Sequence, residues 1–386
     1  MLIRPSNLST NWTTVPLSEV VEFLDSQRKP ITEKNRVLGP YPYYGANGQQ
    51  DSVAGFIFNE SLVLLAEDGG HFGDSDKTIA YQVSGKCWVN NHAHVLRPKK
   101  CIDIRYLCRH LERYDVTSFV TGTTRGKLTK SAASRIPLLL PPLEEQRRIA
   151  AILDKADAVR RKRQSAIALT EELLRSAFLE MFGDPATNPK GWEIVRMSEV
   201  VSQTQYGTAE KANSEKNGIP VLRMNNITYT GEFKLDDLKW CLIPVADEPK
   251  FTVRRGDLLF NRTNSPELVG KTAVWRSDEK YAFAGYLVRV RFEAARALSE
   301  YVSAYLNSSH GKKYLLERAK PSINMSNFSA SEFLKIPLLL PPLDLQEHFV
   351  VVADATRSSA SRFEGMVKDT NDLFNSLLQR AFRGEL

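Results

Sequence analysis

Planar amides and guanidinium groups can form two parallel hydrogen bonds with the edge of a base, Asn and Gln with adenine, Arg and Lys with guanine. This chain gathers such groups in turns. Tyr41-Pro42-Tyr43-Tyr44-Gly45-Ala46-Asn47-Gly48-Gln49-Gln50 holds three aromatics and three amides among turn formers, and Gly122-Thr123-Thr124-Arg125-Gly126-Lys127-Leu128 is small and basic. Arg223-Met224-Asn225-Asn226, Asn261-Arg262-Thr263-Asn264-Ser265 and Lys312-Lys313 are further candidates. Asn261 to Ser265 follows a strand-like run and opens into Pro266, the pattern of an exposed loop. The plainer reading of each is a surface turn with solvated amides.

Other chemistries find less support. Gly270-Lys271-Thr272 ends like a phosphate-binding loop, but Ser265 stands where its first glycine belongs. Gly122 to Lys127 is one residue too short and is followed by leucine. No GxGxxG occurs, and no Asn/Asp-Pro-Pro-Tyr/Phe loop of an amino-methyltransferase. His92-Ala93-His94 alternates as on a strand and has no third metal ligand in sight. Cys87, Cys101, Cys108 and Cys241 form no CxxC pair, so reduced, buried thiols are expected.

The 386 residues leave room for two or three domains, each with a real core. Hydrophobic content of 42% and charged content of 25% are those of an ordinary soluble protein, and no run of about 18 apolar residues exists. Met1-Leu2-Ile3-Arg4-Pro5 lacks the apolar core of a signal peptide, which points to the cytoplasm. A net charge of +7 permits binding to phosphates without requiring it.

The elements that must position these turns come twice. Ile136-Pro137-Leu138-Leu139-Leu140-Pro141-Pro142-Leu143 recurs unchanged at Ile336 to Leu343, so the chain is two copies of one unit. Pro137, Pro141 and Pro142 forbid helix through the motif. Helix must follow at once. No proline or glycine appears from Leu143 to Phe182, Glu144 and Glu145 suit the first turn, and Gly183 with Asp184-Pro185 stops it. In the second copy the run goes from Leu343 to Arg383, interrupted only by Gly365. Each run of about 40 residues makes a helix about 60 Å long.

Small or apolar residues recur along both runs with 3,4 spacing. They are Ile149, Ile152, Ala156, Val159, Ala166, Thr170, Leu173 and Ala177 in the first, with Arg163 breaking the stripe. In the second they are Phe349, Val352, Thr356, Ser359, Phe363, Met366, Thr370, Leu373 and Leu377. A helix with one such stripe needs a partner, and the other copy, run antiparallel, is the simplest. The expected core of the pair is Ile149, Ile152, Ala156, Val159 and Leu173 against Phe349, Val352, Phe363, Met366, Leu373 and Leu377. Leu173 to Phe178 echoes Leu377 to Phe382 at an offset of four more residues, about one helical turn. Leu17-Ser18-Glu19-Val20-Val21 echoes Met197-Ser198-Glu199-Val200-Val201, so both globular parts begin alike. Between the echoes, both parts differ and look strand-rich, as in Ile79 to Val83, Leu258 to Phe260 and Tyr286 to Arg291.

The run from Ile136 to Asp154, leading into a long helix and repeated at the C-terminus, resembles the specificity subunits of type I restriction-modification systems. Val83 to Trp88 with Asn90 to Leu96, Gly122 to Leu128 and Leu268 to Ala273 fit the same family, and the resemblance covers essentially the whole chain. Asp344-Leu345-Gln346-Glu347-His348 departs from it, keeping the glutamine and losing the Glu-Gln-Arg-Arg run.

The resemblance implies an α+β protein: two strand-rich target-recognition domains separated by an antiparallel pair of long coiled-coil-like helices, an internal repeat with pseudo-two-fold symmetry. The expected divisions are 1–135, first recognition domain; 136–184, junction and first helix; 185–335, second recognition domain; 336–386, junction and second helix. It implies no catalysis and no cofactor or metal on this chain. Each domain would read half of a split double-stranded DNA sequence, with the helices fixing the gap. Two methyltransferase subunits carrying S-adenosylmethionine would dock on helices and domains, and restriction/motor subunits with ATP and Mg2+ could join.

Under this reading the candidate DNA contacts are Tyr43, Tyr44, Asn47, Gln49, Thr123, Thr124, Arg125 and Lys127 in the first domain. In the second they are Arg223, Asn225, Asn261, Arg262, Asn264, Lys312 and Asn324. The loop at Thr123 aligns with Ile323, Asn324, Met325 and Asn327, and two equivalent loops that differ suit two different half-sites. Arg160-Arg161-Lys162-Arg163 points in four directions around its helix. Its default reading is a solvated helix middle with an acidic partner; the sharper one is contact with unread DNA backbone. The rivals are a coiled-coil scaffold without DNA reading, and a nuclease or methyltransferase with an unrecognised site of its own.

Overall fold

The junction motif is extended in both copies because its prolines deny it a helix, and it finds an edge to pair with. Pro137–Leu140 pairs antiparallel with Thr13–Pro16, and Pro337–Leu340 with Glu193–Arg196. The chain then turns identically: Leu17 and Met197 each donate a backbone bond of 2.9 Å to Ile136 and Ile336. A single helical turn, Leu17–Val20 or Met197–Glu199, follows in each.

A computed structural model describes residues 12–74, 76–122, 126–265, 268, 270–322 and 325–386. It divides into two compact units, Met1–Ser165 with Phe363–Leu386, and Ala166–Arg362. Both long helices, Leu143–Phe182 and Leu343–Ala381, run from one unit into the other. Gly183, at φ 81°, ends the first helix, and a Cβ there would sit 2.6 Å from Pro189 Cγ.

The first unit carries a four-stranded antiparallel sheet in the order Val21–Phe23, Ala93–Pro98, Leu62–Ala66, Ala80–Val83. A second sheet orders Gly48–Val53, Leu38–Gly45, Lys86–Val89 and Phe58–Asn59. Helix Ile104–Leu111 is N-capped by the Asp103 carboxylate, which accepts from the Arg105 and Tyr106 amides. The second unit repeats the four-stranded sheet as Val201–Tyr206, Leu287–Phe292, Leu258–Asn261, Thr272–Val274, followed by helix Ser299–Asn307. The expected strands at Ile79, Leu258 and Tyr286 are Ala80–Val83, Leu258–Asn261 and Leu287–Phe292.

A buried glutamine joins junction, helix and domain in each unit. Gln146 Nε2 donates to Cys101 and Pro141 carbonyls (3.1 and 2.8 Å), and its Oε1 accepts from the Asp103 amide at 2.8 Å. Gln346 Nε2 donates to Arg296 and Pro341 (3.1 and 2.9 Å), and its Oε1 accepts from Leu298 at 2.9 Å. Both side chains are fully enclosed. That is why the glutamine persists where the charged residues beside it change. Tyr106 and Tyr301 hydroxyls likewise donate to Leu139 and Leu339 carbonyls at 2.8 and 2.7 Å.

The long helices pair antiparallel. In the first unit Ile149, Ala150 and Leu153, near the start of the first helix, share a core with Phe374, Leu378, Ala381 and Phe382, at and just past the end of the second. In the second unit Phe178 and Phe182, at the end of the first helix, meet Phe349 and Ala353, at the start of the second, with ring centroids 5.4–5.8 Å apart for Phe349.

The expected core is thus corrected in part. Ile149 and Phe349 are buried, and Ile152, Ala156, Val352, Phe363 and Leu377 are half-buried. Val159, Leu173, Met366 and Leu373 are exposed, Leu173 and Leu373 at 56% each. On the second helix the true seam is one residue on, at Phe374 and Leu378, about 100° around the helix from Leu373 and Leu377. Arg163 does not break the seam: its guanidinium donates to Met366 O at 2.9 Å and to the Thr370 hydroxyl. Buried Thr170, Thr356 and Thr370 satisfy themselves on the Ile167, Val352 and Met366 carbonyls. Of the thiols, Cys87 and Cys241 are buried, Cys108 is intermediate and Cys101 is exposed, against the expectation.

Candidate nucleic-acid interface

In the first unit the amides of the hairpin Leu38–Gly45/Gly48–Val53 are displayed at its tip. Asn47, Gln49 and Gln50 are exposed there, while Tyr43 is sealed beneath. Asn47 Nδ2 donates to Gly69 O at 3.0 Å, and Gln49 Nε2 to Asp51 O at 3.2 Å. Gln50 Oε1 accepts from Asn90 Nδ2 at 3.1 Å. The tip walls an open cleft of about 390 Å³ whose other faces are Arg36, Asp68, Asn91 and His92. His92 Nδ1 is bonded to Asp68 at 2.6 Å. A cleft of this size lined by amides with spare donors and acceptors can hydrogen-bond a planar polar edge.

Of the two aromatics expected among the contacts, Tyr43 is corrected. Tyr43 is buried, its hydroxyl shared between the Ile31 amide and carbonyl (3.0 and 3.3 Å), with Arg36 over its ring at 4.5 Å. Tyr44 is half-buried against Tyr81, centroids 5.9 Å apart. Tyr43 has no ring face free for stacking. Asn90 and Asn91 were visible only as part of the family pattern; what marks them now is the turn that brings them opposite the hairpin tip.

The loop before the first junction closes where Thr121 and Lys127 exchange backbone bonds of 2.9 and 2.7 Å. Thr123, Thr124 and Arg125 lie outside the described residues, as does Asn324. The loop base is pinned by charge. Lys127 Nζ is 3.2 Å from Glu67, Glu67 is 2.6 Å from Arg28, and the Leu128 carbonyl accepts from His94 Nε2 at 2.8 Å. His94 Nδ1 meets Asp25 at 2.7 Å. Both ring nitrogens therefore face oxygen atoms. The His94 imidazole, through its hydrogen bond and charge, outweighs burial and holds the Asp25 carboxyl below its usual range. Asp25, Glu67 and His94 approach one another as three metal ligands would, which sequence alone did not suggest. Their donor atoms are spent on each other and on Arg28, Lys127 and Leu128, which makes the set an ion-pair staple.

In the second unit the candidates are more tightly held. Arg223 Nη2 and Asn225 Nδ2 both donate to the Asp237 carboxylate, at 2.9 and 2.8 Å, fixing an amide and a guanidinium side by side at the surface. Arg262 lies over the Tyr206 ring at 5.1 Å. Lys312 donates to Tyr229 O at 2.6 Å with its ammonium 3.5 Å above that ring, and burial, helped by Arg175, pushes it down to about 8. Asn261 is corrected: it is fully buried at the end of Leu258–Asn261, its Oδ1 accepting from Thr263 at 3.4 Å. The side chain of Asn264 lies outside those described. The basic run is not free either. Arg160 and Arg161 both bind Asp157, at 2.7 and 2.9 Å, which supplies the acidic neighbour from their own helix.

The family model described as "Type I restriction modification DNA specificity domain" matches residues 9–169. A putative type I restriction enzyme specificity subunit of Haemophilus influenzae is 26% identical over 349 residues, 88% of this chain and 86% of that protein. The type I restriction enzyme EcoKI specificity subunit of Escherichia coli K12 is 23% identical over 413 residues, 97% of this chain and 86% of that one. The crystal structure of a type I restriction-modification S subunit from M. genitalium shares the fold at a TM-score of 0.63, with 12% identity and 99% of both chains covered.

Proposed function

Because the chain belongs to the family of type I restriction-modification specificity subunits, which recognise DNA and are not themselves enzymes, we propose that its two domains each read one half of a split DNA target, with the long helices setting the unread gap. The observation that carries this reading is the duplicated frame. Junction pairing, buried glutamine and tyrosine bond repeat in both units, while the turns they support differ entirely in sequence. A common frame with two unlike surfaces suits two unlike half-sites.

In the first domain the readers are the amides of the cleft, Asn47, Gln50 and Asn91, with exposed Gln49 beside them on the hairpin, and Lys127 with the adjoining loop. In the second they are Arg223 and Asn225, held by Asp237, with Arg262. Methyltransferase subunits bring S-adenosylmethionine and dock on the helices, where exposed Leu169 and Leu173 on the first and Met366 and Leu373 on the second support such contacts. Restriction/motor subunits, where present, bring ATP and Mg2+. The assembly works in the cytoplasm; among the described residues no helix is long and apolar enough to cross a membrane.

The test is to map modified adenines in a host carrying the system with Asn91→Ala or Gln50→Ala in place of the native chain. A lost bidentate contact is worth about 1–3 kcal/mol, roughly 5- to 150-fold in discrimination. One position in one half of the target should relax while the other half stays intact. An unaltered motif with both variants would remove the cleft from the reading surface.

A further inference from the structure

The two domains sit on their helices through ion pairs of opposite polarity. The buried glutamines bond Asp103 and Leu298, and the tyrosines are Tyr106 and Tyr301, so Arg105 and Glu300 occupy the same place in the two units. The identical junctions make Asp157 and Arg357 equivalent in the same way. In the first unit the domain supplies the cations. Arg109 is 2.9 Å from Asp154 and 3.1 Å from Asp157, and Arg105 is 3.6 Å from Asp154; the domain's own Glu112, 3.1 Å from Arg109, leaves the three one net positive charge. The Asp157 carboxylate is almost wholly enclosed. In the second unit the domain supplies the anions. Arg357 is 3.0 Å from both Glu232 and Glu300, and Arg276, from the domain itself, is 2.7 Å from each. Arg276 leaves that trio one net negative charge, which Arg357 neutralises.

We propose that this inversion is a key: the first seat accepts a recognition domain presenting cations beside the junction, and the second accepts one presenting carboxylates. Position 154/354 is aspartate in both helices, so the seats differ at Asp157, which Arg160 and Arg161 of its own helix also bind, and at Arg357, which Asp354 also binds. An exchange would place Glu232 and Glu300 against Asp154 and Asp157, and Arg105 and Arg109 against Arg357. Half-buried charges are poorly screened, and like charges brought together reject a wrong partner more sharply than a lost attraction does. The frame is thus duplicated, but its seats are not interchangeable. This inference concerns seating and is independent of which DNA the domains read.

Two experiments test it, neither using DNA. In the intact chain, Arg357→Met removes the charge and Arg357→Asp installs the sign of the other seat. The aspartate variant should melt below the methionine variant at low salt, and the gap should narrow in about 1 M salt, where the Debye length is about 3 Å. Coincident melting of the two variants at low salt would overturn the proposal. In a full-length chimaera, residues 193–335 replace 13–135, so that the second domain occupies both seats. The grafted domain should be cut readily by protease while Asp157 is present, and Asp157→Arg should protect it severalfold. A graft already as resistant as the native domain, or unmoved by Asp157→Arg, contradicts the key. If the graft is insoluble with either residue, the Arg357 comparison decides.

Discussion

His110 shows how much one buried side chain can reveal. It occupies the place of Tyr305: its Nε2 meets the Pro137 carbonyl at 3.2 Å, as the Tyr305 hydroxyl donates to Pro337 at 3.0 Å. Its Nδ1 is buried and has no partner among the described residues, and Phe382 stands edge-on to the ring at 4.7 Å. Burial pushes the imidazole down to about 4 against the pull of the Pro137 carbonyl. The neutral form is folded in, while the unfolded chain takes up a proton below about 6.5. His110 therefore contributes stability that is present above pH 6.5 and lost as pH falls through about 4, up to about 3 kcal/mol. His110→Tyr, the residue of the other copy, should flatten the fall in melting temperature between pH 7 and pH 5, whatever it does to the absolute value. An unchanged slope would place the acid sensitivity elsewhere. The base-reading amides belong to this scale too. Their types were legible in sequence; their availability was not, since Asn261 and Tyr43 look as suitable on paper as Asn47 and Gln50 and are buried. Alternation of side chains along a strand decides that, and it needs the register.

Among elements, the helix pair gives the sharpest contrast. Phe374 is buried with the guanidinium groups of Arg109, Arg113 and Arg160 at 5.7, 5.7 and 5.5 Å from its ring, while its neighbour Leu373 is exposed. Phe374→Ala should cost about 3–5 kcal/mol, and Leu373→Ala less than about 0.5 kcal/mol, both by chemical denaturation. The reverse order would return the seam to the leucine stripe. Gln146→Leu or Gln346→Leu would orphan two carbonyls and one amide, costing on the order of 2 kcal/mol or more in either unit. A loss in one unit alone would end the equivalence of the two clamps. The proline-bounded junctions, the two helices and their pairing could be expected from sequence because proline, glycine caps and an apolar stripe act locally. The seam phase could not, because leucine and phenylalanine at adjacent positions serve the stripe equally well. Arg163 looked like a break in it for the same reason: its reach across to Met366 depends on the partner's register.

For the whole molecule, the duplicated octapeptide disclosed the architecture, and divergence between the copies carries the function. If the helices set the gap, a four-residue insertion at the same level in both should alter the spacer of the modified motif and leave both halves unchanged; methylation mapping would read it. The central claim is modular reading. Its most direct test replaces residues 12–135 with a recognition domain of known preference that presents cations at the places of Arg105 and Arg109. Modified adenines are then mapped across the host genome. The expected result is a motif with one half exchanged, the other half and the gap retained. A change in both halves, or in neither, would contradict it.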